Sequence, residues 1–259
     1  MLTPKKSLGQ NFLNDPNTVR KIVGSLEAPA DAHVVEIGPG TGALTGELLD
    51  RFASFTALEI DERAVAYLKQ EYPSLDVRQM DVLEVDWGAL AAEKGGPLHV
   101  IGNLPYYITS PILFGLLDNR QHISEAVVMM QLEVAQRLVA EPRTKDYGIL
   151  SVQVQLHAQP DLLFRVSRNV FYPKPDVTSA VIRLAFDKVP PLPSDVDPDF
   201  LREVIRTAFN QRRKTLRNSL SVWTRSHDIT LPHDWDRHRA EELPPPAFLE
   251  LARYIQEHV

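Results

Sequence analysis

Four consecutive residues, Asn103-Leu104-Pro105-Tyr106, combine groups that can hold a flat ring bearing an amine. The Asn103 side-chain carbonyl can accept a hydrogen bond, and the Leu104 main-chain carbonyl precedes a proline that restricts the local backbone. Tyr106 adds an aromatic ring beside these two acceptors. The set can therefore cradle a planar heterocycle with an exocyclic amine. The alternative interpretation is a strand end followed by a proline turn and a core tyrosine.

These four residues follow an apolar run, residues 98–101, which predicts a buried strand that Gly102 ends. Residues 33–37, 55–61 and 75–81 form three similar segments earlier in the chain. Helical patterns between them indicate parallel strands, whose carboxyl ends meet at one edge of the sheet. Open α/β sheets bind ligands at that edge.

The groups expected at this edge suit a nucleoside. Gly38, with glycines at 40 and 42, forms a loop that permits close approach by a ligand. Glu59 lies 21 positions after Gly38, the spacing expected for a carboxylate that binds ribose hydroxyls. Asp81, at the third strand end, can accept a hydrogen bond from an adenine amine. The loop alone is typical of NAD, FAD and S-adenosylmethionine sites, and each acid alone could be a surface carboxylate. All four strand ends together favour a binding site.

Composition indicates an ordinary soluble globular chain. It has 259 residues, is 44% hydrophobic and 24% charged, and contains no cysteine. Disulfides, thiolate metal sites and cysteine nucleophiles are therefore excluded. No apolar run approaches membrane-spanning length, and the N-terminus lacks the apolar core of a signal peptide. We expect a cytoplasmic protein that binds no membrane and no metal.

The charge is unevenly distributed. The chain carries a net −6, but residues 1–24 carry +3 and residues 200–217 carry +5. Two basic segments on an acidic remainder suggest localised contacts with a polyanion. In the second segment we predict phosphate contacts by four cations on a helix: Arg212, Arg213, Lys214 and Arg217. The alternative is a solvated helix face.

Nine stretches of the sequence carry a family resemblance. They are GQNFLND, VEIGPGTGALT, LEID, QMDVLE, GNLPYYITSPIL, EVAQRLVA, YGILSV, FYPKPDVTSAVIRL and FNQRRKTLRNSL, between residues 9 and 220. This set resembles the KsgA (RsmA) family of small-subunit ribosomal RNA adenine dimethyltransferases. The resemblance implies S-adenosylmethionine-dependent dimethylation of the exocyclic amines of two adjacent adenosines near the 3' end of 16S ribosomal RNA, in ribosome biogenesis.

The resemblance also implies an architecture. It is an α/β fold with a doubly wound, Rossmann-like methyltransferase sheet, mostly parallel and seven-stranded, and a small C-terminal helical domain. We assign residues 1–188 to the methyltransferase domain, 189–198 to a proline-rich linker and 199–259 to a helical RNA-recognition domain. The family often has Pro-Gly where this chain has Pro142-Arg143. We expect that loop to be exposed and the difference to have little catalytic effect.

Site residues follow by position in the matched motifs. Those implied to bind the cofactor are Asn11, Leu13, Gly38, Glu59, Asp81 and Asn103. Those implied to act on or hold the target adenine are Asn103, Leu104, Tyr106 and Phe171. Tyr172 is a rival to Phe171 for the stacking role. The expected partner is small-subunit ribosomal RNA in an immature 30S-type particle, and the protein is expected to be monomeric.

Three alternatives stay open from the sequence. One is a large-subunit ribosomal RNA adenine methyltransferase of the erythromycin-resistance type, which shares the fold and core motifs. Another is a ribosome-assembly factor whose RNA binding matters more than catalysis. The third is a nicotinamide dehydrogenase, which would leave residues 103–106 without a role.

Overall fold

The computed structural model describes residues 2–5 and 8–259. The strands in this part of the chain are β1 (Phe12–Leu13), β2 (His33–Ile37), β3 (Ser54–Glu59), β4 (Asp76–Gln79), β5 (Leu98–Asn103), β6 (Ile123–Gln131), β7 (Gln159–Val166), β8 (Phe171–Tyr172) and β9 (Ser179–Ala185). The α-helices are α1 (Pro16–Val23), α2 (Thr45–Arg51), α3 (Glu62–Glu71), α4 (Trp87–Lys94), α5 (Thr109–Asp118), α6 (Leu132–Leu138), α7 (Ile149–His157), α8 (Pro198–Phe209), α9 (Leu216–Ser219), α10 (Ser221–Thr224) and α11 (Pro245–Gln256).

One sheet contains most of the strands, in the order β4-β3-β2-β5-β6-β9-β7. Neighbours from β4 to β6 pair in parallel, and β9 pairs antiparallel with β6. The predicted seven-stranded, mostly parallel, doubly wound sheet is therefore confirmed. The chain runs outward from β2 on one side and from β5 on the other. This reversal creates a crevice at the carboxyl ends of β2 and β5.

Gly102 lies inside β5 rather than ending it, while the expected position of Asn103 at the end of this strand is confirmed. The strand continues through Asn103, and Gly102 pairs with Ile37 of β2. A Cβ atom on Gly102 would lie 2.6 Å from the Ile37 carbonyl oxygen, closer than real contacts allow. The glycine is therefore needed because two strands approach closely just before the crevice. Its effect is to bring Asn103 to the end of a rigid strand.

Helix α1 begins as its sequence predicts. The Asp15 carboxylate accepts the Thr18 main-chain N–H at 2.8 Å, and Pro16 occupies the first helical position. Its apolar face buries Val19 and Ile22 in a core that includes Val34 of β2 and Ile101 of β5. This packing places the segment before α1 close to the sheet edge.

The chain forms two compact units. The first comprises Met1–Ala135 and Asp161–Lys188, and the second comprises Gln136–Pro160 and Val189–Val259. The division after residue 188 coincides with the start of the predicted linker. Residues 136–160, however, fall in the second unit, whereas the sequence placed them in the methyltransferase domain.

Tyr147 explains why residues 136–160 belong to the second unit. It is fully buried, its hydroxyl donates to the Leu243 carbonyl oxygen at 2.8 Å, and its ring centroid lies 6.1 Å from that of Phe209. The hydrogen bond joins residues 96 positions apart and the ring contact also joins distant segments, so sequence periodicity does not reveal them. In the same loop Arg143 has a φ of 68°, in the left-handed region that favours glycine. That conformation suits the glycine often found at this position in the resembled family.

None of the helices in residues 2–5 and 8–259 has both the length and the apolar character needed to cross a membrane. The same residues contain no cluster of three or more histidine, aspartate or glutamate side chains arranged to hold a metal ion.

Candidate active site

A cavity of about 220 Å³ opens at the carboxyl ends of the parallel strands in the first unit. Its wall brings together eight of the nine residues predicted to bind cofactor or base: Asn11, Leu13, Gly38, Glu59, Asp81, Asn103, Leu104 and Tyr106. They come from separate parts of the chain, and the parallel sheet places them at one edge. Phe171 is the predicted residue that does not line the cavity.

Glu59 ends β3 with its carboxylate held by main-chain N–H groups. Gly40 donates to Oε2 at 3.0 Å and Asp61 donates to Oε1 at 2.8 Å. Burial raises the pKa of Glu59, while these hydrogen bonds oppose the rise because they favour the charged form. Each carboxylate oxygen retains a lone pair, so Glu59 can accept further hydrogen bonds from a bound group.

Gly38 directly follows β2 and adopts a φ of 65°, the left-handed region where glycine is unstrained. A Cβ atom added there would meet nothing within 4 Å, so conformation rather than crowding requires the glycine. Gly40, at φ 58°, is also crowded, because an added Cβ would lie 2.9 Å from the Phe12 ring. The loop therefore lies close beneath the segment that contains Asn11 and Leu13.

Asp81 lies two residues beyond β4, which is shorter than its sequence predicts. One carboxylate oxygen accepts the Leu83 main-chain N–H at 2.9 Å, and the other faces no donor among the described residues. Ile60 and Leu83 also line the cavity, with 48% and 47% of their surfaces exposed. These two apolar residues are not among those predicted from the sequence. Their signal is a large apolar side chain one or two positions after an acid at a strand end.

Asn103 is oriented by a contact that only the folded chain creates. Its Nδ2 donates to the Asn11 main-chain oxygen at 3.0 Å, which leaves the side-chain oxygen Oδ1 as a free acceptor. Leu104 is buried, and its N–H donates to the Met129 carbonyl oxygen at 3.0 Å, so the backbone of the motif is fixed. The Tyr106 hydroxyl lies 2.7 Å from Ser179 Oγ, and burial raises the pKa of Tyr106. The fold thus holds two acceptors, Asn103 Oδ1 and the Leu104 carbonyl oxygen, in the same motif as the uncharged Tyr106 ring.

Phe171 is 5% exposed and belongs to the core of the first unit. It lies in β8, where it pairs with Leu13 of β1, and Leu13 rather than Phe171 reaches the cavity. The rival Tyr172 is 60% exposed and also lies outside the cavity wall. The structure therefore does not bring either aromatic into contact with the space beside Asn103, and the stacking role of Phe171 stays a prediction.

Comparison with known proteins gives one family for the whole chain. The model of the ribosomal RNA adenine dimethylase family matches residues 1–257. The chain belongs to this family. Its cofactor is S-adenosylmethionine, and it is a ribosomal RNA adenine dimethyltransferase. A nicotinamide dehydrogenase is no longer an alternative.

The relatives agree with this membership. Ribosomal RNA small subunit methyltransferase A of Salinibacter ruber is 59% identical over 255 residues, covering 98% of this chain and 86% of the relative. The enzyme of the same name from Prosthecochloris aestuarii is 53% identical over 216 residues, covering 83% of this chain and 81% of the relative.

Two solved structures share the fold. The dimethyladenosine transferase of Plasmodium falciparum has a TM-score of 0.76 at 24% identity, covering 95% of this chain and 98% of its own. The 23S ribosomal RNA methyltransferase ErmE has a TM-score of 0.70 at 27% identity, covering 95% of this chain and 100% of its own. At 24% identity, the similarity to the Plasmodium structure is evidence for the fold alone.

The cavity of this dimethylase fits its cofactor chemically. Glu59 and Asp81 offer carboxylate oxygens to hydroxyl and amine hydrogens, and the half-exposed Ile60 and Leu83 offer apolar surface to a flat ring. Gly38 leaves open space where a side chain would project. Hydrogen-bond acceptors, apolar surface and open space are therefore all present for an adenosine with a methionine tail.

Glu36 is a further acid of the dimethylase cavity that sequence analysis missed. It is 2% exposed, accepts the Thr45 hydroxyl at 2.7 Å and has a pKa raised to about 8, mainly by burial. The nearby Glu59 carboxylate adds to the rise. Its signal in the sequence is an acid inside the apolar strand that precedes the glycine loop. A buried carboxyl of this kind is protonated at neutral pH.

The burial of Glu36 predicts a pH-dependent stability. Between pH 4.5, its ordinary pKa, and about pH 8, the folded protein holds a proton that the unfolded chain has released. The free energy of unfolding therefore falls as pH rises through this window and levels off above it. Glu36→Gln should remove this loss and stabilise the cofactor-free protein at pH 9 by up to about 5 kcal/mol, with little effect at pH 4. Denaturant unfolding across this pH range measures it.

Glu62→Gln provides the control for this measurement, because Glu62 is an exposed acid in the first turn of α3. It should leave the pH dependence unchanged. Parallel stability curves for the parent and Glu36→Gln would contradict the buried, protonated state of Glu36.

The four cations of the basic segment do not lie on one helix, contrary to the sequence prediction. Helix α8 ends at Phe209 and α9 begins at Leu216, so Arg212, Arg213 and Lys214 lie in a turn rather than a helix. Helical spacing therefore does not determine which cations share a face. Each cation must be judged by its own contacts.

The four cations differ in whether they have partners within the protein. Arg212 Nη2 donates to the carbonyl oxygens of Lys145 and Tyr147 at 3.0 and 3.1 Å, so this side chain supports the second unit. Arg217 lies 3.5 Å from Asp236. Arg213 and Lys214 are exposed and contact no acid among the described residues. In the N-terminal basic segment, Lys6 lies outside the described residues.

Proposed function

We propose that this dimethylase acts on two adjacent adenosines near the 3' end of 16S ribosomal RNA in an immature 30S-type particle. The observation that supports the chemistry is Asn103 Oδ1, left free at the cavity by the bond between Nδ2 and Asn11. The names of the Salinibacter and Prosthecochloris relatives support the small subunit over the large one. ErmE, at 27% identity, shares the fold, but the much higher identity to the relatives named for the small subunit favours that substrate.

The mechanism depends on positioning. An adenine amine is a poor nucleophile because its lone pair is delocalised into the ring. Asn103 Oδ1 and the Leu104 carbonyl oxygen accept the two amine hydrogens and favour the tetrahedral nitrogen that can attack. S-adenosylmethionine supplies a methyl group already activated on a sulfonium. As the nitrogen–methyl bond forms, the methyl–sulfur bond would break and S-adenosylhomocysteine would be the leaving group. The alkylated nitrogen becomes acidic and would lose its proton to water, so no general base is required.

The base must leave its stack to reach these acceptors. Tyr106 is proposed to contact the flipped ring, and its bond to Ser179 Oγ fixes the hydroxyl end. Phe171 is proposed as the second aromatic, which requires β1 and β8 to shift when RNA binds, because the ring is buried without RNA. Base stacking contributes about 1–3 kcal/mol per base.

The cofactor site is proposed to use the residues that line the cavity. Glu59 accepts hydrogen bonds from the ribose hydroxyls, and Asp81 accepts one from the adenine amine. Gly38 lies beside the methionine part. Asn11 and Leu13 cover the bound molecule, and Asn103 lies between the methyl group and the target amine. The activated methyl needs no metal, and we propose a cytoplasmic monomer.

RNA binding is proposed to depend on Arg213 and Lys214, with Arg217 as a weaker contact because of its pairing with Asp236. Each phosphate contact contributes about 0.7–0.9 to the slope of log affinity against log salt. The double variant Arg213→Gln, Lys214→Gln should therefore flatten that slope by roughly 1.4–1.8. Filter binding to small-subunit RNA at several salt concentrations measures it.

Lys69→Gln, Lys188→Gln is the matched control, since it removes two exposed positive charges from the first unit. Its salt slope should equal that of the parent. An unchanged slope in the Arg213, Lys214 variant would show that this turn is only a solvated surface.

Nucleoside mass spectrometry tests the proposed substrate. Immature small subunits and naked large-subunit RNA are treated with enzyme and labelled cofactor. Dimethyladenosine in the small subunit alone is expected. Label in the large-subunit RNA would favour the erythromycin-resistance type of activity. RNA binding without label in either would favour an assembly factor.

A further inference from the structure

The N-terminal wall of the cavity, Leu8–Leu13, is attached to the protein at two sides. On one side Asn103 donates to the Asn11 carbonyl oxygen, and Phe12 and Leu13 pair with β8. On the other side, within residues 8–13, the Gln10 side chain donates to the carboxylate of Asp61. The wall thus runs from the target-base side of the cavity to the side of the ribose acid Glu59.

Asp61 is almost completely buried, with 4% of its surface exposed, yet it carries a charge. Gln10 Nε2 donates to Oδ2 at 3.1 Å, and Lys5 Nζ donates to Oδ1 at 3.4 Å. Arg63 donates to both oxygens at 3.0 and 2.6 Å. The Arg63 guanidinium above all, with smaller contributions from Gln10 and Lys5, holds the pKa of Asp61 well below its usual range. A buried charge satisfied partly by the N-terminal segment makes release of that segment costly.

Two further hydrogen bonds near Asp61 help to hold the N-terminal segment in place. The Lys5 N–H donates to Gln10 Oε1 at 2.8 Å, and Arg63 Nη1 donates to the Thr3 carbonyl oxygen at 3.3 Å. Lys5 is the exposed member, with 44% of its side chain accessible. Salt can therefore screen the Lys5–Asp61 pair more strongly than the part-buried bond from Gln10 to Asp61.

We propose that Asp61 is a latch that holds the wall Leu8–Leu13 closed over the cofactor and sets the rate of cofactor exchange. This inference rests on the cofactor site proposed above. Every methyl transfer consumes one cofactor, so the demethylated product must leave before the next transfer. The target base occupies the side of Asn103, and the Asp61 side is where the wall can open while RNA stays bound. Asp61 is a positioning residue, because it acts through the wall.

The variant Lys5→Gln, Gln10→Ala tests the latch while leaving the Asp61–Arg63 pair and the α3 cap intact. The dissociation rate of S-adenosylhomocysteine, measured by stopped-flow displacement, should rise on the order of tenfold. Hydrogen exchange of the Leu8–Leu13 amides should become faster. The parent's dissociation rate should rise with salt, and the variant's should rise less.

Lys69→Gln, Gln70→Ala is the matched control, with identical substitutions at two exposed residues of α3 that do not line the cavity. It should behave as the parent. Asp61→Asn is a second test that keeps a good helix cap, and it should also speed dissociation.

Two results would overturn the latch. One is an equal dissociation rate in the variant and the control. The other is faster dissociation with unchanged exchange at Leu8–Leu13, which would make Lys5 or Gln10 a direct ligand. If the parent fails to bind S-adenosylhomocysteine, both the latch and the cofactor site beneath it are wrong.

Discussion

Asn103→Ala is expected to lower kcat by about 10²- to 10³-fold, the range for removing one preorganised group aimed at developing charge. Its affinity for RNA should stay nearly the same. The reason is that Oδ1 accepts most strongly when the amine becomes tetrahedral, so its contribution appears in the transition state. Single-turnover methylation and equilibrium RNA binding measure the two quantities separately.

Asn119→Ala is a suitable control, because Asn119 Nδ2 donates to the Gly115 carbonyl oxygen at 2.9 Å in a contact remote from the cavity wall. Both variants lose one side-chain to main-chain hydrogen bond, but only Asn103→Ala should lose turnover. A parallel fall of RNA affinity and turnover in Asn103→Ala would make Asn103 a docking residue and contradict the mechanism.

Glu59→Ala is expected to weaken S-adenosylmethionine binding by roughly 10- to 150-fold, since hydrogen bonds to a charged group contribute about 1.5–3 kcal/mol. The structure adds a second reason for the loss. Glu59 also anchors the Gly40 N–H of the glycine loop, so its removal loosens the loop that lies beneath the cofactor. Titration calorimetry on the folded variant gives the affinity.

Glu62→Ala removes an exposed carboxylate three positions away and should leave the affinity unchanged. A thermal unfolding curve shows whether each variant is folded. Normal cofactor affinity in a folded Glu59→Ala protein would remove Glu59 from the site.

Local sequence signals predicted much of the framework. Gly38, Glu59, Asp81 and Asn103, at or just beyond the ends of short apolar strands, implied one binding edge, because parallel strands must align their carboxyl ends. The start of α1 was also correct, since Asp15 and Pro16 act only on neighbouring residues. Such signals are reliable where a property depends on a few adjacent residues.

Contacts between distant residues explain what the sequence did not reveal. Arg212 looked like a phosphate ligand but holds the loop of Tyr147, which also draws residues 136–160 into the second unit. Phe171, predicted to hold the target adenine, is covered by core neighbours, and that role stays a prediction. Both results depend on which segments pack together in the folded chain. The residues next to Arg212 or Phe171 in the sequence do not indicate that packing.

The sequence by itself determined the types of group at the sheet edge, and the tertiary structure decided their state. Asn103 presents its oxygen to the cavity only because the Asn11 carbonyl takes its amide hydrogen. Glu36 holds its proton only because the fold removes water from it. Orientation and protonation depend on what surrounds a side chain in space, and that surrounding exists only once the chain has folded.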